Sequence, residues 1–175
     1  MNNKIKNEEL FNDGKYRIVR FNDDNIDHRK IICNTDTVCI LPFDTKDGNI
    51  CSIYLNNLTD YLSNDQFKSC ITADTRYNND SEFSEVSKII ANKLGLTDVN
   101  IEDLFFIGKV KHNVPFSKSY RCYAINLDNY INNINMTDLE SKGLEKVKFN
   151  TVVNSGELHD SICLSCSLLL LSYLQ

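Results

Sequence analysis

The sequence predicts an α/β (α+β) sandwich, a mixed central sheet covered by helices. Three observations carry that prediction. Apolar strand-like runs occupy both halves of the chain, an amphipathic helix separates them, and a Leu-rich helix closes the sequence. At 175 residues the chain falls in the size range of one domain, expected over 15–175 behind a polar segment, 1–14. A chain of this length buries roughly 70% of its unfolded surface, so it needs neither disulfides nor a structural metal to fold.

The elements follow in order. Met1 to Gly14 is polar and is assigned no element. Tyr16 to Phe21 has strand character, Asn22 to Asp27 reads as a loop, and Arg29 to Cys33 as a short strand. Thr37 to Phe43 reads as a buried strand and Asn49 to Leu55 as its return. Between them Asp47-Gly48 signals a hairpin turn, because both turn positions must tolerate positive φ. The segment Ile71 to Thr75 is read as loop.

Ser81 to Leu94 is the clearest helix. Phe83, Val86, Ile90 and Leu94 recur at three and four residues, with Ile89 widening the stripe. Glu82 and Glu85 stand near its start and Lys88 and Lys93 near its end, matching the helix dipole. Gly95 then sits where a left-handed C-cap stops the helix. Leu104 to Val110 and Tyr120 to Leu127 read as strands. Asn126 to Lys142 is Asn-rich and expected as a surface excursion. Val147 to Phe149 with Val152-Val153 suggests a last strand, and Glu157 to Leu174 a final, largely buried helix.

Composition excludes several classes. The chain is 42% hydrophobic and 25% charged, with a formal net charge of -5. General nucleic-acid binding needs a basic footprint and is not expected. Met1 to Leu10 has no apolar core of a signal peptide, and the run Leu168 to Leu171 is far too short to cross a bilayer, so no membrane role is expected. Seven cysteines, an odd number lying partly in apolar runs, read as free thiols in a reducing, intracellular setting. Asn makes up roughly one residue in eight, which points to an A/T-rich genome such as that of a phage, another virus or a low-GC bacterium.

The stretch from Cys70 to Leu96, with the Phe105-Phe106-Ile107-Gly108 strand after it and Asp160-Ser161 opening the last helix, resembles the Nudix hydrolase family. The family's box is a Gly, five residues, a Glu, seven residues, then Arg-Glu-apolar-any-Glu-Glu-any-Gly-apolar. Set on Gly95-Leu96, it places Asp74 at the opening Gly, Asp80 at the first Glu and Lys88 at the Arg. Ile89 replaces the next Glu, Ile90 keeps the apolar position, and Asn92 and Lys93 replace the Glu-Glu pair. In the family that pair holds Mg²⁺ or Mn²⁺ against the substrate's pyrophosphate. Magnesium needs oxygen ligands, commonly one or two carboxylates, and an ammonium group repels it.

The resemblance therefore implies a Nudix-like α/β/α sandwich whose catalytic metal face is degenerate. The expectation is a non-catalytic binding or structural subunit without a cofactor, working through protein partners or self-assembly. A component of a phage or viral particle, in the host cytoplasm or the virion, fits the composition. The alternatives are a divergent hydrolase of nucleoside-diphosphate-linked substrates using Mg²⁺ or Mn²⁺, and a sensor that binds a nucleotide without cleaving it. If hydrolysis survives, Asp74, Asp80, Glu82 and Glu85 are the fallback metal ligands.

Other groups read more plainly. Cys163 and Cys166 have metal-motif spacing but no second pair, and are expected as buried helix cysteines. Lys109, Lys111, His112, Lys118 and Arg121 form a basic patch beside Tyr120 and Tyr123; it could receive an anion, although strand edges commonly carry lysine. His28 and His159 have no evident catalytic partner.

Overall fold

A computed structural model describes residues 6–14, 16–23, 26–33, 35–59, 64, 66–75, 82–112, 116–132, 134–154 and 160–174. Its strands are β1 (Lys6–Asn12), β2 (Tyr16–Asp23), β3 (Ile26–Cys33), β4 (Asp36–Lys46), β5 (Asn49–Thr59), β6 (Gln66–Ser69), β7 (Ile71–Thr75), β8 (Leu104–His112), β9 (Phe116–Asn126) and β10 (Leu144–Lys148). Its helices are α1 (Glu82–Leu94), α2 (Met136–Ser141), α3 (Phe149–Asn154) and α4 (Ser161–Leu174).

Described residues join into one mixed sheet in the order β1-β2-β3-β9-β4-β5-β10, with β8 on β9, β7 on β4 and β6 on β5. Its axis is the parallel pair β4–β9, in which Cys39 stands beside Cys122 and Ile40 beside Tyr123. Strands buried on both faces read as unbroken apolar runs, and β4 is buried from Thr37 to Asp44. The Asp47-Gly48 turn forms as expected, with φ of 54° and 77°.

Alternation divides the core in two. Val38, Ile40, Tyr54, Ile71, Tyr123 and Ile125 face α1 and meet its buried stripe of Val86, Ile90 and Leu94. Cys39, Leu41, Phe43, Ile53, Leu55, Cys122 and Ala124 face the other way, against Ile162, Cys163, Cys166 and Leu170 of α4. Helices on both faces complete the α/β/α sandwich.

The structure corrects the sequence reading at four places. The polar 1–14 segment contains β1, which pairs antiparallel with β2. β2 and β3 extend into the expected loop, to Asp23 and from Ile26. Ile71 to Thr75 is not a loop but strand β7, paired with β4. Phe149 to Asn154 is helix α3 rather than a strand, and its Phe149 is buried under α4. The Asn-rich excursion is mostly exposed, as expected, and is anchored by Leu127, Tyr130 and Leu139, core residues on the α1 face.

The final helix begins at Ser161 in the described residues, where the Asp160 carboxylate accepts the Ile162 N–H at 2.9 Å. It is buried on one side only: Leu164, Leu168, Tyr173 and Leu174 are exposed. Among the described residues no helix is long and apolar enough to cross a membrane.

Gly95 ends α1 with φ +76° while its N–H reaches the Ala91 carbonyl at 2.9 Å. A Cβ there would meet the mobile Lys142 Nζ at 3.4 Å, so the penalty of a side chain is conformational rather than steric. Gly95→Ala should cost about 1 kcal/mol and lower the melting temperature by about 3 °C. A thermal melt that does not move would show that this cap contributes nothing.

Candidate functional site

Alternation along β9 sends Cys122 and Ala124 toward α4 and Tyr123 and Ile125 toward α1. Arg121 shares the parity of Tyr123, so it too projects under α1. There it meets the first turn of the helix, where dipole preference favours acidic residues and Glu82 and Glu85 stand.

The Arg121 side chain is only 3% exposed, and its Nη1 lies 2.7 Å from the Glu82 carboxylate. Its Nη2 is 4.0 Å from Glu85, which is 15% exposed, and donates to the Thr75 hydroxyl at 3.1 Å. The Tyr123 hydroxyl donates to the same Glu82 oxygen. That hydrogen bond, reinforced by the Arg121 contact, holds the Glu82 carboxyl below the usual carboxylate range. A guanidinium this buried needs compensating carboxylates, since an isolated charge away from water is strongly penalised.

Beside this network opens a cleft of about 430 Å³. Phe83, Leu104 and an exposed Phe106 supply its apolar wall; Lys109, Arg121, Glu82 and Tyr123 supply its polar one. Phe106 and Tyr123 pack as a tilted ring pair with centroids 5.4 Å apart. Lys109 acts on Glu82 through its charge. With Arg121 and Lys109 against Glu82, the lining carries a formal charge of +1. Such a mixture of aromatic and ionised groups fits an amphipathic ligand or side chain better than a bare ion.

The expected site residues are dispersed. Asp74 projects to the α4 face, where it accepts from the Thr37 hydroxyl at 2.7 Å and pairs with Lys118 at 3.0 Å. Glu82 and Glu85 lie across the sheet from it, on the first turn of α1. Asp80 lies outside the described residues, as do His159 and the side chains of His28 and His112. Lys88, Asn92 and Lys93 are exposed on α1, Ile89 is half-buried, and Gly95 caps the helix. The basic patch is divided between faces: Lys118 and Tyr120 lie toward α4, Arg121 and Tyr123 toward α1.

Among the described residues, this donor set does not fit a divalent cation of the Nudix kind. Where the resemblance expects a metal-binding pair, Asn92 and Lys93 supply an amide and an ammonium, and the Arg121 guanidinium faces Glu82 and Glu85 while Asp74 pairs with Lys118. Among the described residues, no group of three or more His, Cys, Asp or Glu side chains is placed to hold a metal ion. The sequence placed Arg121 in a surface patch and missed its role. The available signal was its position: a charged residue within the apolar run Tyr120 to Leu127 requires a buried partner.

No protein-family model matches the sequence, and no curated protein is significantly similar to it. Solved structures are similar in fold. An ADP compounds hydrolase superimposes with a TM-score of 0.61 at 10% identity, covering 97% of this chain and 91% of its own. A NUDIX hydrolase from Listeria monocytogenes gives 0.57 at 14% identity, over 79% of this chain and 93% of its own. The C-terminal domain of mouse MUTYH, in complex with human PCNA, gives 0.57 at 9% identity, over 80% and 89%.

Proposed function

We propose that the Nudix fold adopted by this chain serves as a non-catalytic binding or structural subunit. The observation that carries this reading is the Arg121 guanidinium paired to Glu82 at 2.7 Å. An internal cation occupies the space between two of the fallback metal ligands, Glu82 and Glu85, while Lys118 pairs with a third, Asp74. Pyrophosphate hydrolysis without a metal loses charge neutralisation, nucleophile activation and orientation together. Two further features favour binding: the cleft beside Arg121 retains aromatic walls, and α4 presents exposed Leu164, Leu168, Tyr173 and Leu174. Of these, Leu164 and Leu168 lie one turn apart on a single face, and adjoining exposed apolar side chains mark interaction sites. The MUTYH domain, solved bound to a protein, is a precedent for this fold at an interface. The Asn-rich composition is as compatible with a component of a phage or viral particle as with a protein of a low-GC bacterium.

The hydrolase reading has its own support, because two of the similar structures are hydrolases. One assay separates the two. Pure protein is incubated with ADP-ribose, dinucleotides and nucleoside triphosphates in Mg²⁺ or Mn²⁺, and phosphate-containing products are measured. The expected result is turnover no faster than the protein-free blank. Metal-dependent turnover abolished by Asp80→Ala or Glu85→Ala would reject the non-catalytic reading. Absence of turnover with a nucleotide-dependent rise in melting temperature would support the sensor reading instead.

A further inference from the structure

The cleft beside Arg121 owes its lining to an irregularity in β8. Phe106 stands opposite Tyr123 and Gly108 opposite Cys122, so Ile107 is an extra residue on β8. A bulge of one residue resets the two-residue alternation of a strand and re-aims the side chains after it. Strict alternation would send Phe106 and Lys109 to opposite faces of the sheet. With the bulge, both line the cleft, while Phe105, Ile107 and Val110 pack beneath α4. Gly108 permits this, having φ of +147° and the Leu169 side chain 3.3 Å from where a Cβ would stand.

Two properties of the lining select what it can hold. Phe83, Tyr123 and the exposed Phe106 offer ring surface to another ring, in the tilted or offset packing that aromatic pairs prefer. Its ionised groups leave one surplus positive charge, in a chain whose net charge is -5. Glu82 is already held by Arg121 at 2.7 Å, so the surplus falls to Lys109, which is exposed. Lys111, also exposed, stands two residues on and shares its side of the strand. A pyrophosphate brings more negative charge than this lining offsets and would meet Glu82 in the same wall. A single carboxylate matches it.

Position in the sheet selects a chain over a free small molecule. Among the described residues β8 pairs only with β9. The cleft therefore borders a strand edge, alongside which an extended segment can lie. Lysines on such an edge discourage strands of like charge. A second copy's β8 would bring its own Lys109 and Lys111 toward these two, and like charges facing across strands repel. An acidic segment of another protein meets the opposite sign.

We propose that the cleft between α1 and β8 binds an extended acidic segment of a different protein, seating an aromatic side chain against Phe106 and a neighbouring carboxylate on Lys109. Docking of this kind rests on the non-catalytic reading of the fold, since the cleft then holds a chain and cleaves nothing. The bulge at Ile107 is what makes the site, because it alone brings the ring and the ammonium group to one face.

The test pans a display library of random peptides against the full chain and measures the enriched peptides, once synthesised, by fluorescence anisotropy. The expected consensus is Phe, Tyr or Trp beside, or one residue from, an Asp or Glu. Lys109→Glu and Phe106→Ala should each weaken binding about tenfold. Both side chains are exposed, so neither change opens the core. Lys148→Glu, an equal change of charge at an exposed position on β10, should leave binding unchanged. No enriched peptide, a consensus lacking the acidic and aromatic pair, binding indifferent to both substitutions, or displacement by ADP-ribose would overturn the proposal. The turnover assay keeps the two ideas apart: no peptide and no turnover strikes only the docking, whereas metal-dependent turnover strikes the non-catalytic reading itself.

Discussion

Arg121→Ala should lower the melting temperature at neutral pH by about 10 °C, and Mn²⁺ should then restore part of the loss. Removing one partner of a buried ion pair costs about 3–5 kcal/mol, because the other charge is left without compensation. Glu82 is half exposed and water relieves part of that burden, but Glu85 is only 15% exposed. A cost of about 3 kcal/mol is therefore the reasonable figure, and for a chain of this size each kcal/mol moves the midpoint by about 3 °C. Without the guanidinium, Glu82 and Glu85 become two carboxylates facing one space, to which a dication can bind. Millimolar Mn²⁺ should raise the Arg121→Ala melt by several degrees and leave the wild type unmoved.

The pH dependence of that difference follows from Glu82. Its carboxyl is held below the ordinary value of 4.5 by the Tyr123 hydroxyl and by Arg121. A depressed folded value stabilises the fold fully above the unfolded one and loses that contribution as pH falls through the folded one. The gap between wild type and Arg121→Ala should thus narrow below about pH 4.5. Equal melting temperatures at pH 7 would remove the buried ion pair from the account of this site.

Why the pair was illegible in the sequence is a matter of distance. Elements governed by local rules could be read: the Asp47-Gly48 turn, the apolar stripe of α1 with Gly95 behind it, and the strand Thr37 to Phe43. Elements governed by their neighbours could not. β1 is an exposed edge strand, so nothing in its polar composition announces burial. β7 is short and alternates buried Ile71 and Thr75 with exposed Thr72 and Asp74, which mimics a polar loop. α3 contains β-branched Val152 and Val153 and reads as strand by propensity; it folds as helix, because tertiary context overrides weak local preference.

The same logic divides the candidate site. The substitutions Asn92 and Lys93 are visible by aligning one motif on one helix. Arg121 reaches Glu82 and Glu85 through the register of β9 on β4 and the seating of α1, which only the folded sheet specifies. Fold and motif resemblance were thus readable, whereas the buried cation facing Glu82 and Glu85 was not.

A second ionic network should prove nearly as sensitive, and through a different term. Asp44, almost fully buried on β4, accepts the Tyr54 hydroxyl at 2.9 Å and pairs with Lys146 Nζ at 2.6 Å. Lys146 also lies over the Tyr54 ring, 5.5 Å from its centroid. Asp44→Ala strands the hydroxyl of Tyr54, which is 1% exposed, whereas Lys146 is 40% exposed and can turn toward water. Orphaning a buried hydroxyl and losing its charged acceptor should cost about 2–3 kcal/mol, a fall of about 8 °C. Adding Tyr54→Phe to Asp44→Ala should recover part of it, since deleting both partners leaves no polar group unpaired. Alkali should act on the same network. Burial, then the Asp44 contact, pushes the Tyr54 hydroxyl up from 10.0 to about 12. A raised folded value means the stabilisation is complete below about pH 10 and lost as pH climbs through about 12. Lys146, raised chiefly by its bond to Asp44, changes in the same direction. Wild type should therefore lose stability between about pH 10 and 12 more steeply than Tyr54→Phe. Parallel alkaline melts of the two proteins would show that the hydroxyl, however buried, does not couple proton release to unfolding.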